Sequence, residues 1–343
     1  MAKFQLVTTL LWLFLVLRFV VPLSLSPTWT VVLGLVLLVA AQQHFLIRRF
    51  RGSPFSPELP RPLGMLANAL LCTLLLLTVF QTTLELLSLL GYLINRSYFV
   101  PPLAFRYVMG IVAVTLSVVG VTQAVRVPPV KEVEVELANL PPEFDGYRLI
   151  QLTDLHLSRL FPGSWAEKVV DKANAQNADL IVITGDLMDG TLQARRSDVE
   201  PLGKLRAKDG VFVITGNHEY YYGYEGWMKR YEELGMTRLA NSHAAISRGG
   251  SKLVLAGITD STAQRFDLPA PNLKGALSGA PAGAPVILLD HKPGGARSAA
   301  KEGVSLQLSG HTHGGMIKGM HWLVARFNRG FVSGFYDVDG MKL

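Results

Sequence analysis

The pattern of hydrophobic residues divides the chain into two parts. In the first part, four long apolar segments predict membrane-spanning helices at about Phe4–Leu23, Trp29–Ile47, Met65–Leu93 and Phe105–Val125. Each approaches or exceeds the ~20 apolar residues that a helix needs to cross a bilayer. A cleaved signal peptide would explain only the first segment, and a soluble core is disfavoured because the segments lack a polar face. We therefore expect a transmembrane helical domain over residues 1–126.

The second part, residues 127–343, has shorter hydrophobic runs that predict a mixed α/β domain. Alternation of charged and apolar residues in Lys131–Leu137 predicts a strand with one solvent-exposed face. Helical spacing of apolar residues is found in Trp165–Gln176 and Gly226–Leu234. Buried strands are predicted at Arg148–Leu152, Leu180–Thr184, Gly210–Thr215, Leu253–Ile258, Val286–Leu289 and Val304–Leu308. Most of these runs stop at polar residues, and ligands of open α/β sheets bind outside the carboxyl ends of the strands.

Charge is distributed unevenly between the two parts. Residues 1–126 carry nine basic and two acidic residues, whereas residues 127–343 carry 24 of each. The basic pI of about 9.5 therefore comes from the membrane part, and no nucleic-acid partner is expected for the second part.

The basic residues beside the apolar segments favour a cytoplasmic second part. With four spans, this side would hold Lys3, Arg48, Arg49, Arg51, Arg61, Arg126 and Lys131, against Arg96 and Arg106 on the other side. One miscounted helix would reverse the orientation. The third segment is the main candidate for such an error, because it is long and contains Glu85.

Five short motifs end hydrophobic runs with side chains that bind metals. They are Asp154-Leu155-His156, Gly185-Asp186, Gly216-Asn217-His218-Glu219, Asp290-His291 and Gly310-His311-Thr312-His313. Each alone is compatible with an ordinary turn, since Asp and Asn favour turns. Together they contain five of the eight histidines, and carboxylates with neutral imidazoles suit a divalent-metal site. Two such metals can activate a bridging water and stabilise an in-line displacement at phosphorus.

The order of these motifs resembles the calcineurin-like metallophosphoesterase superfamily. The ending Gly-His-Thr-His-Gly-Gly is similar to its bacterial membrane-associated branch, and the likeness covers roughly residues 131–340. The resemblance implies an α/β fold, a double β-sandwich flanked by helices, here preceded by an all-α transmembrane domain of about four helices. Related chains normally continue with another strand and a Gly-rich turn, so truncation at Leu343 would leave an exposed edge strand.

The resemblance also implies seven ligands for two divalent ions, which could be Mn, Fe, Zn or Co. The first ion would be bound by one aspartate and two histidines, the second by one asparagine and two histidines, with a further aspartate shared. In that order, the ligands are Asp154, His156 and His313; Asn217, His291 and His311; and Asp186.

Two further motif residues are implied to act without binding metal. His218 would contact the phosphate and act as an acid or electrostatic stabiliser, and Asp189 would orient its imidazole. Protein phosphatases of the superfamily have Asp-Arg-Gly where this chain has Asp189-Gly190, which argues against a protein phosphatase. Glu219 is interpreted either as a support for the ligands or as a solvated side chain.

The function favoured by these observations is hydrolysis of a lipid-linked phosphodiester or pyrophosphate by a membrane-anchored enzyme, in a bacterial inner membrane. The expected partners are this phosphoester substrate and membrane lipid, and the oligomeric state stays open. One alternative is a phosphodiesterase for soluble or cyclic nucleotides that the spans merely localise. A less favoured alternative is a non-enzymatic membrane scaffold with a relict site.

Three apolar patches beside the motifs are candidates for binding the lipid part of a substrate. The competing interpretation is ordinary core packing, because aromatic residues also dominate cores. The patches are Leu157, Leu160, Phe161 and Trp165; Tyr220, Tyr221, Tyr222, Tyr224 and Trp227; and Trp322, Phe327, Phe331 and Phe335.

Overall fold

The computed structural model describes residues 2–50, 57–315, 319 and 321–343. Its contacts separate the chain into two compact units, Met1–Arg126 and Val127–Leu343. Arg51, one of the residues used to orient the helices, lies outside the described residues, and no side chain is described for Arg48 or Arg49.

The first unit contains four helices that are long and apolar enough to cross a membrane, as the pattern predicted. They are α1 (Ala2–Leu15), which continues through a π-helical turn and a 3-10 turn to Leu23, α2 (Pro27–Phe50), α3 (Arg61–Asn95) and α4 (Leu103–Ala124). Helix α3 has 35 residues. At about 1.5 Å per residue it is roughly 52 Å long, which exceeds the ~30 Å hydrocarbon core of a bilayer.

Glu85, the charged residue within the third segment, is paired inside the first unit. Arg18 donates from Nε and Nη2 to the two carboxylate oxygens at 2.8 and 2.6 Å. Gln81 donates to Oε1 at 2.7 Å. Ionisable side chains in apolar helices are tolerated where they are paired, so this carboxylate is compatible with one continuous helix.

The second unit contains two β-sheets within the described residues. The first sheet has the order β1-β2-β3-β4, all parallel, and the second has the order β5-β6-β7-β8-β10-β9. The strands are β1 (Leu149–Leu152), β2 (Leu180–Ile183), β3 (Val211–Val213), β4 (Thr237–Arg238), β5 (Ser242–Arg248), β6 (Ser251–Gly257), β7 (Val286–Leu289), β8 (Leu306–Leu308), β9 (Asp337–Val338) and β10 (Met341–Lys342).

The two sheets form a sandwich with helices on its outer faces. Buried side chains of both sheets, such as Val182, Phe212, Leu255 and Leu289, share one core cluster. A second cluster joins the first sheet to helices, and a third does the same for the second sheet. The helices in these clusters are α5 (Gly163–Asn174), α6 (Leu192–Val199), α8 (Tyr224–Glu233), α9 (Leu273–Leu277) and α10 (Ala296–Lys301). Two further helices of this unit are α7 (Asn217–Tyr221) and α11 (His321–Phe327). The expected α/β sandwich is confirmed.

The register of the parallel strands aligns their carboxyl ends. Leu152 pairs with Ile183, and Ile183 pairs with Val213. In the second sheet, Leu289 pairs with Leu308. The polar residues that follow these strands therefore lie at a common edge of each sheet. Gln151 links the two edges, because its Nε2 contacts Thr184 Oγ1 at 2.9 Å and the Ser309 carbonyl at 3.0 Å.

One predicted strand is wrong. Residues 131–137 form neither helix nor strand, although Val135 and Leu137 pack against the sandwich core. The alternation correctly indicated an apolar face, but it could not indicate whether a partner strand was available. In the second sheet, β8 pairs with β10 through Leu306 and Lys342.

Candidate metal centre

Each of the five motifs directly follows a strand, with its side chains at the strand's carboxyl end. Asp154 and His156 follow β1, Asp186 follows β2, and Asn217 begins α7 after β3. The remaining histidines of the motifs follow β7 and β8 of the second sheet. Rigid strands in both sheets thus position the candidate ligands.

Glycines permit the strand ends to approach one another closely. A Cβ at Gly185 would overlap the backbone nitrogen of Gly216, and a Cβ at Gly216 would overlap the Asp186 carboxylate. A Cβ at Gly310 would overlap the Asp154 carboxylate. Each of these three glycines is therefore required by the neighbouring motif, and Gly185 is also required by its own left-handed backbone (φ 93°).

Five candidate ligands have left-handed backbone conformations. Asp154, His156, Asp186, His311 and His313 have φ values of 52°, 45°, 54°, 71° and 46°. A non-glycine residue in this region is uncommon and costs on the order of 1–3 kcal/mol. Such strain persists only where surrounding contacts hold it, and it is concentrated at functional sites.

The first cluster of candidate ligands consists of Asp154, His156 and His313. His313 Nε2 lies 3.2 Å from Asp154 Oδ1 and 3.0 Å from His156 Nε2. The Asp154 carboxylate is held by Thr153 Oγ1 at 2.6 Å and by the His311 backbone N–H at 3.0 Å. One carboxylate and two imidazoles therefore direct their donor atoms to the same place.

The second cluster consists of Asp186, His291 and His311. His291 Nε2 lies 3.3 Å from Asp186 Oδ2 and 3.3 Å from Asn217 Oδ1. His291 Nδ1 donates to the Thr184 carbonyl at 2.8 Å, which leaves Nε2 directed into the cluster. Burial disfavours the charged imidazole and so lowers the pKa of His291. The Asp186 carboxylate has the larger effect and raises this pKa to about 10. The same negative charge would attract a divalent cation.

Asp186 belongs to the second cluster and also approaches the first. Its Oδ2 is 3.3 Å from His291 Nε2 and 3.8 Å from His156 Nε2. Burial raises the pKa of Asp186, but the surrounding histidines outweigh this effect and hold it well below its ordinary value. The carboxylate is therefore ionised and close to candidate ligands of both clusters.

Asp189 contacts two histidines rather than the single one expected. Its Oδ1 lies 2.5 Å from His218 Nδ1 and 3.0 Å from His156 Nδ1. Burial raises the pKa of Asp189, but the hydrogen bonds with both imidazoles outweigh this effect and lower it. The contact with His156 was missed from the sequence, because no spacing pattern indicates that one carboxylate reaches across two motifs.

Glu219 is buried, which excludes the interpretation that it is solvated. Its oxygens accept hydrogen bonds from the backbone N–H groups of Asp186, Leu187 and Gly216 at 3.1, 2.9 and 2.7 Å. Tyr231 donates its hydroxyl at 3.3 Å. Burial and the Asp186 charge raise the pKa of Glu219, whereas the three backbone donors oppose this. The carboxylate thus joins two turns that carry candidate ligands.

The predicted apolar patches divide into core and surface residues. Leu157, Trp165 and Trp227 are buried in the helix-side core of the first sheet, so core packing is the correct interpretation for them. Tyr220 and Phe331 are also buried. Exposed rings remain at Tyr221, Trp322, Phe327 and Phe335, and Phe266 is an exposed ring that the sequence did not single out.

The donor atoms fit divalent metal ions. In the described part of the chain, each of three groups of His and Asp residues has donor atoms within 4.8 Å of one another. Two of them are the clusters described above, and the third joins His156, Asp189 and His218. Carboxylate oxygens and imidazole nitrogens without thiolates are suited to Mn, Fe, Zn or Co.

Comparisons with known proteins agree with this chemistry. The sequence model of the family described as calcineurin-like phosphoesterase matches residues 147–315. The chain is 34% identical over 294 residues to a transmembrane protein with metallophosphoesterase domain from Danio rerio, covering 82% of this chain and 67% of that protein. The protein with the same name from Bos taurus is 34% identical over 248 residues, covering 69% of this chain and 56% of the relative.

A bacterial relative extends the comparison. An uncharacterized metallophosphoesterase from Campylobacter jejuni is 29% identical over 304 residues, covering 88% of this chain and 79% of that protein. Coverage of 82% and 88% exceeds the share of the chain that follows Arg126. The likeness to these relatives therefore reaches into the helical unit, beyond the limit near residue 131 that the motifs indicated.

Proposed function

Because the chain belongs to the calcineurin-like phosphoesterase family, we propose that it is a membrane-anchored phosphoester hydrolase that uses two divalent metal ions. The observation that carries the two-metal proposal is the position of Asp186. One ionised carboxylate lies within 4 Å of imidazole nitrogens from both ligand clusters. A shared carboxylate of this kind supports a paired site rather than two independent ones.

The proposed ligands divide as the two clusters do, with Asn217 added to the second. The ions, when bound, would supply a water of lowered pKa and positive charge facing the phosphate oxygens. The proposed ligands are Asp154, His156 and His313 for the first ion; Asn217, His291 and His311 for the second; and Asp186 for both.

His218 is the proposed acid. Its Nδ1 is engaged by Asp189 at 2.5 Å, which leaves Nε2 facing the site, 3.9 Å from Asp186 Oδ2. A proton held at Nε2 would be transferred to the leaving oxygen of the phosphoester. Asp189 would fix the orientation of the ring and stabilise its charged form.

We propose a lipid-linked phosphodiester or pyrophosphate as the substrate. Four helices able to span a membrane belong to the same chain as the site, and membrane lipids then supply phosphoesters at high local concentration. The basic residues beside the spans support a cytoplasmic location of the second unit, and we assign the chain to a bacterial inner membrane. Gly190 stands where protein phosphatases have an arginine, which supports a substrate other than a phosphoprotein.

The test uses the full-length chain in detergent, depleted of metal with a chelator and reconstituted separately with Mn²⁺, Fe²⁺, Zn²⁺ or Co²⁺. Substrates are a phospholipid, a lipid pyrophosphate, a cyclic nucleotide and bis(p-nitrophenyl) phosphate. We expect metal-dependent hydrolysis of a lipid substrate, its loss in Asp186→Asn, and its retention in Asp145→Asn, which alters an exposed carboxylate. Hydrolysis of the cyclic nucleotide alone would reject the lipid proposal. If the folded, metal-loaded protein hydrolyses none of these substrates, the proposal that the chain is a hydrolase is rejected.

A further inference from the structure

An exposed aromatic ring lies beside the proposed acid and is close to a second exposed ring. The ring of Tyr221 is centred 5.6 Å from the His218 ring and 6.2 Å from the Phe266 ring. Tyr221 is 48% exposed and Phe266 is 43% exposed. We call these two residues the aromatic ledge. Large apolar rings usually lie in the interior of a domain, so an exposed pair next to polar catalytic groups needs a physical reason.

Tyr221 is held by its position on α7. This helix begins at the proposed ligand Asn217 and ends at Tyr221. The preceding residue, Tyr220, is buried and contacts Thr215 through its hydroxyl at 3.0 Å. The side of the ledge formed by Tyr221 is therefore fixed to the same turn that carries His218.

The turn that carries Phe266 is held by a salt bridge between Asp260 and Lys292. Phe266 ends a 3-10 turn, Ser261–Phe266, which begins after Asp260. Asp260 accepts a hydrogen bond from Lys292 Nζ at 2.7 Å, and Lys292 directly follows the proposed ligand His291. Lys292 also contacts Thr262 Oγ1 at 3.1 Å. Both rings are thus anchored to ligand-bearing turns from different sheets.

We propose that the aromatic ledge binds the apolar part of the alcohol esterified to the phosphate, and that this part is an alkyl chain or a chain that carries acyl groups. The proposal rests on the hydrolytic function proposed above. A phosphate that contacts His218 brings the first atoms of its ester substituents within reach of a ring 5.6 Å away. Burying that apolar substituent against two exposed rings removes apolar surface from water.

The geometry of the ledge favours a chain over a nucleobase. The planes of Tyr221 and Phe266 are inclined by 51° to each other, so the two rings do not form parallel faces between which a flat base would stack. Two inclined rings form an open apolar surface against which a flexible chain can pack. The four potential membrane spans of the same chain provide a source of such substrates.

The test uses a series of alkyl p-nitrophenyl phosphodiesters, from methyl to octyl, with full-length metal-reconstituted protein in detergent. Every ester releases the same chromophore, so the series isolates the contribution of the alkyl group. In the wild type we expect kcat/KM to rise with chain length by up to about fourfold for each methylene that is buried. In Tyr221→Ala and Phe266→Ala, the octyl-to-methyl ratio of kcat/KM should fall about tenfold or more.

The matched control is Val133→Ala, which shortens an exposed apolar side chain of the same unit and should leave the ratio unchanged. An octyl-to-methyl ratio that stays unchanged in both ledge variants would overturn the proposal. If both esters also lose activity equally, the two rings have a structural role. A larger loss with p-nitrophenyl thymidine phosphate than with the octyl ester would assign the ledge to a base instead. If the wild type hydrolyses none of the esters, the proposed function itself has failed. If the wild type hydrolyses the esters at rates that do not depend on chain length, only the proposed binding of the chain by the ledge is rejected.

Discussion

The replacement Glu219→Gln is predicted to loosen the metal site while preserving the shape of the side chain. Glu219 accepts hydrogen bonds from three backbone N–H groups of the two turns that hold Asp186 and Asn217, and from the Tyr231 hydroxyl of α8. An amide presents an oxygen to some of these donors and an NH₂ group to the others. The substitution thus tests whether the carboxylate fixes the relative position of the two turns.

The expected cost follows from the identity of the four donors. In the better orientation, the amide oxygen keeps the N–H groups of Asp186 and Gly216, and the NH₂ group faces Tyr231 and Leu187. The Tyr231 hydroxyl can rotate and accept, but the Leu187 N–H loses its acceptor. One buried unsatisfied N–H costs roughly 1–3 kcal/mol. With the weakening of the remaining charge-assisted bonds, we expect the free energy of unfolding to fall by about 2–4 kcal/mol.

The assay combines urea unfolding with metal analysis, using full-length protein in mild detergent. Unfolding is followed by tryptophan fluorescence, to which the buried Trp165 and Trp227 of the second unit contribute, and metal content is measured after equilibration with a limiting divalent ion. We expect Glu219→Gln to unfold at lower urea and to retain less than two ions per chain. The control is Glu225→Gln, which alters an exposed carboxylate on α8. A Glu219→Gln protein with the stability and metal content of this control would refute the reasoning.

Three further predictions concern other parts of the chain. His218→Asn should keep the metal content of the wild type but lower turnover by about 10²–10⁴; loss of metal from this variant, in the same metal analysis, would show that His218 is a ligand. Burial opposes the charge of Asp179, but hydrogen bonds from the Arg148 N–H and from two basic side chains hold its pKa well below the ordinary value. The stabilisation is therefore present above pH ~4 and is lost as the pH falls further. Asp179→Asn should consequently be less stable than the wild type at pH 7, and the difference in urea midpoint should shrink below pH ~4; a constant difference would contradict the pKa shift. Glu85→Leu leaves Arg18 without its partner and should lower the thermal midpoint of the detergent-solubilised protein, whereas adding Arg18→Leu should restore it; failure of the double variant to recover would indicate that the pair is not the cause.

The sequence was sufficient for those features that a single periodicity or strand end determines. Span length follows from the thickness of the bilayer, so the four apolar helices were predictable to within a few residues at most ends. The motifs after β1, β2, β3, β7 and β8 were predictable as one site because parallel strands align their carboxyl ends. The family resemblance then supplied the sandwich, which alternation and apolar runs could not establish.

The features that escaped prediction depend on contacts between distant segments. Trp165 has the same local pattern whether it lies in the core or on a lipid-binding surface, and only the packing of α5 on the first sheet decides this. Phe266 lies far from every motif in the sequence, yet the Asp260–Lys292 pair holds its turn beside the site. Likewise, the alternation of Lys131–Leu137 correctly indicated an apolar face, but these residues do not pair as a strand.

The two oxygens of Asp186 have separate tasks, and this separation explains how one carboxylate could serve two ions. Oδ1 accepts the His218 backbone N–H at 2.8 Å, which fixes the carboxylate against the turn that follows β3. Oδ2 alone faces the imidazoles, at 3.3 Å from His291 and 3.8 Å from His156. A carboxylate fixed through one oxygen loses little further freedom on binding a cation through the other, so less conformational entropy opposes binding. The left-handed backbone at Asp186 (φ 54°) is the strain that accompanies this arrangement. The backbone hydrogen bonds to Glu219 hold that strained turn in place, so the precision of the proposed metal site depends on a side chain that need not bind metal.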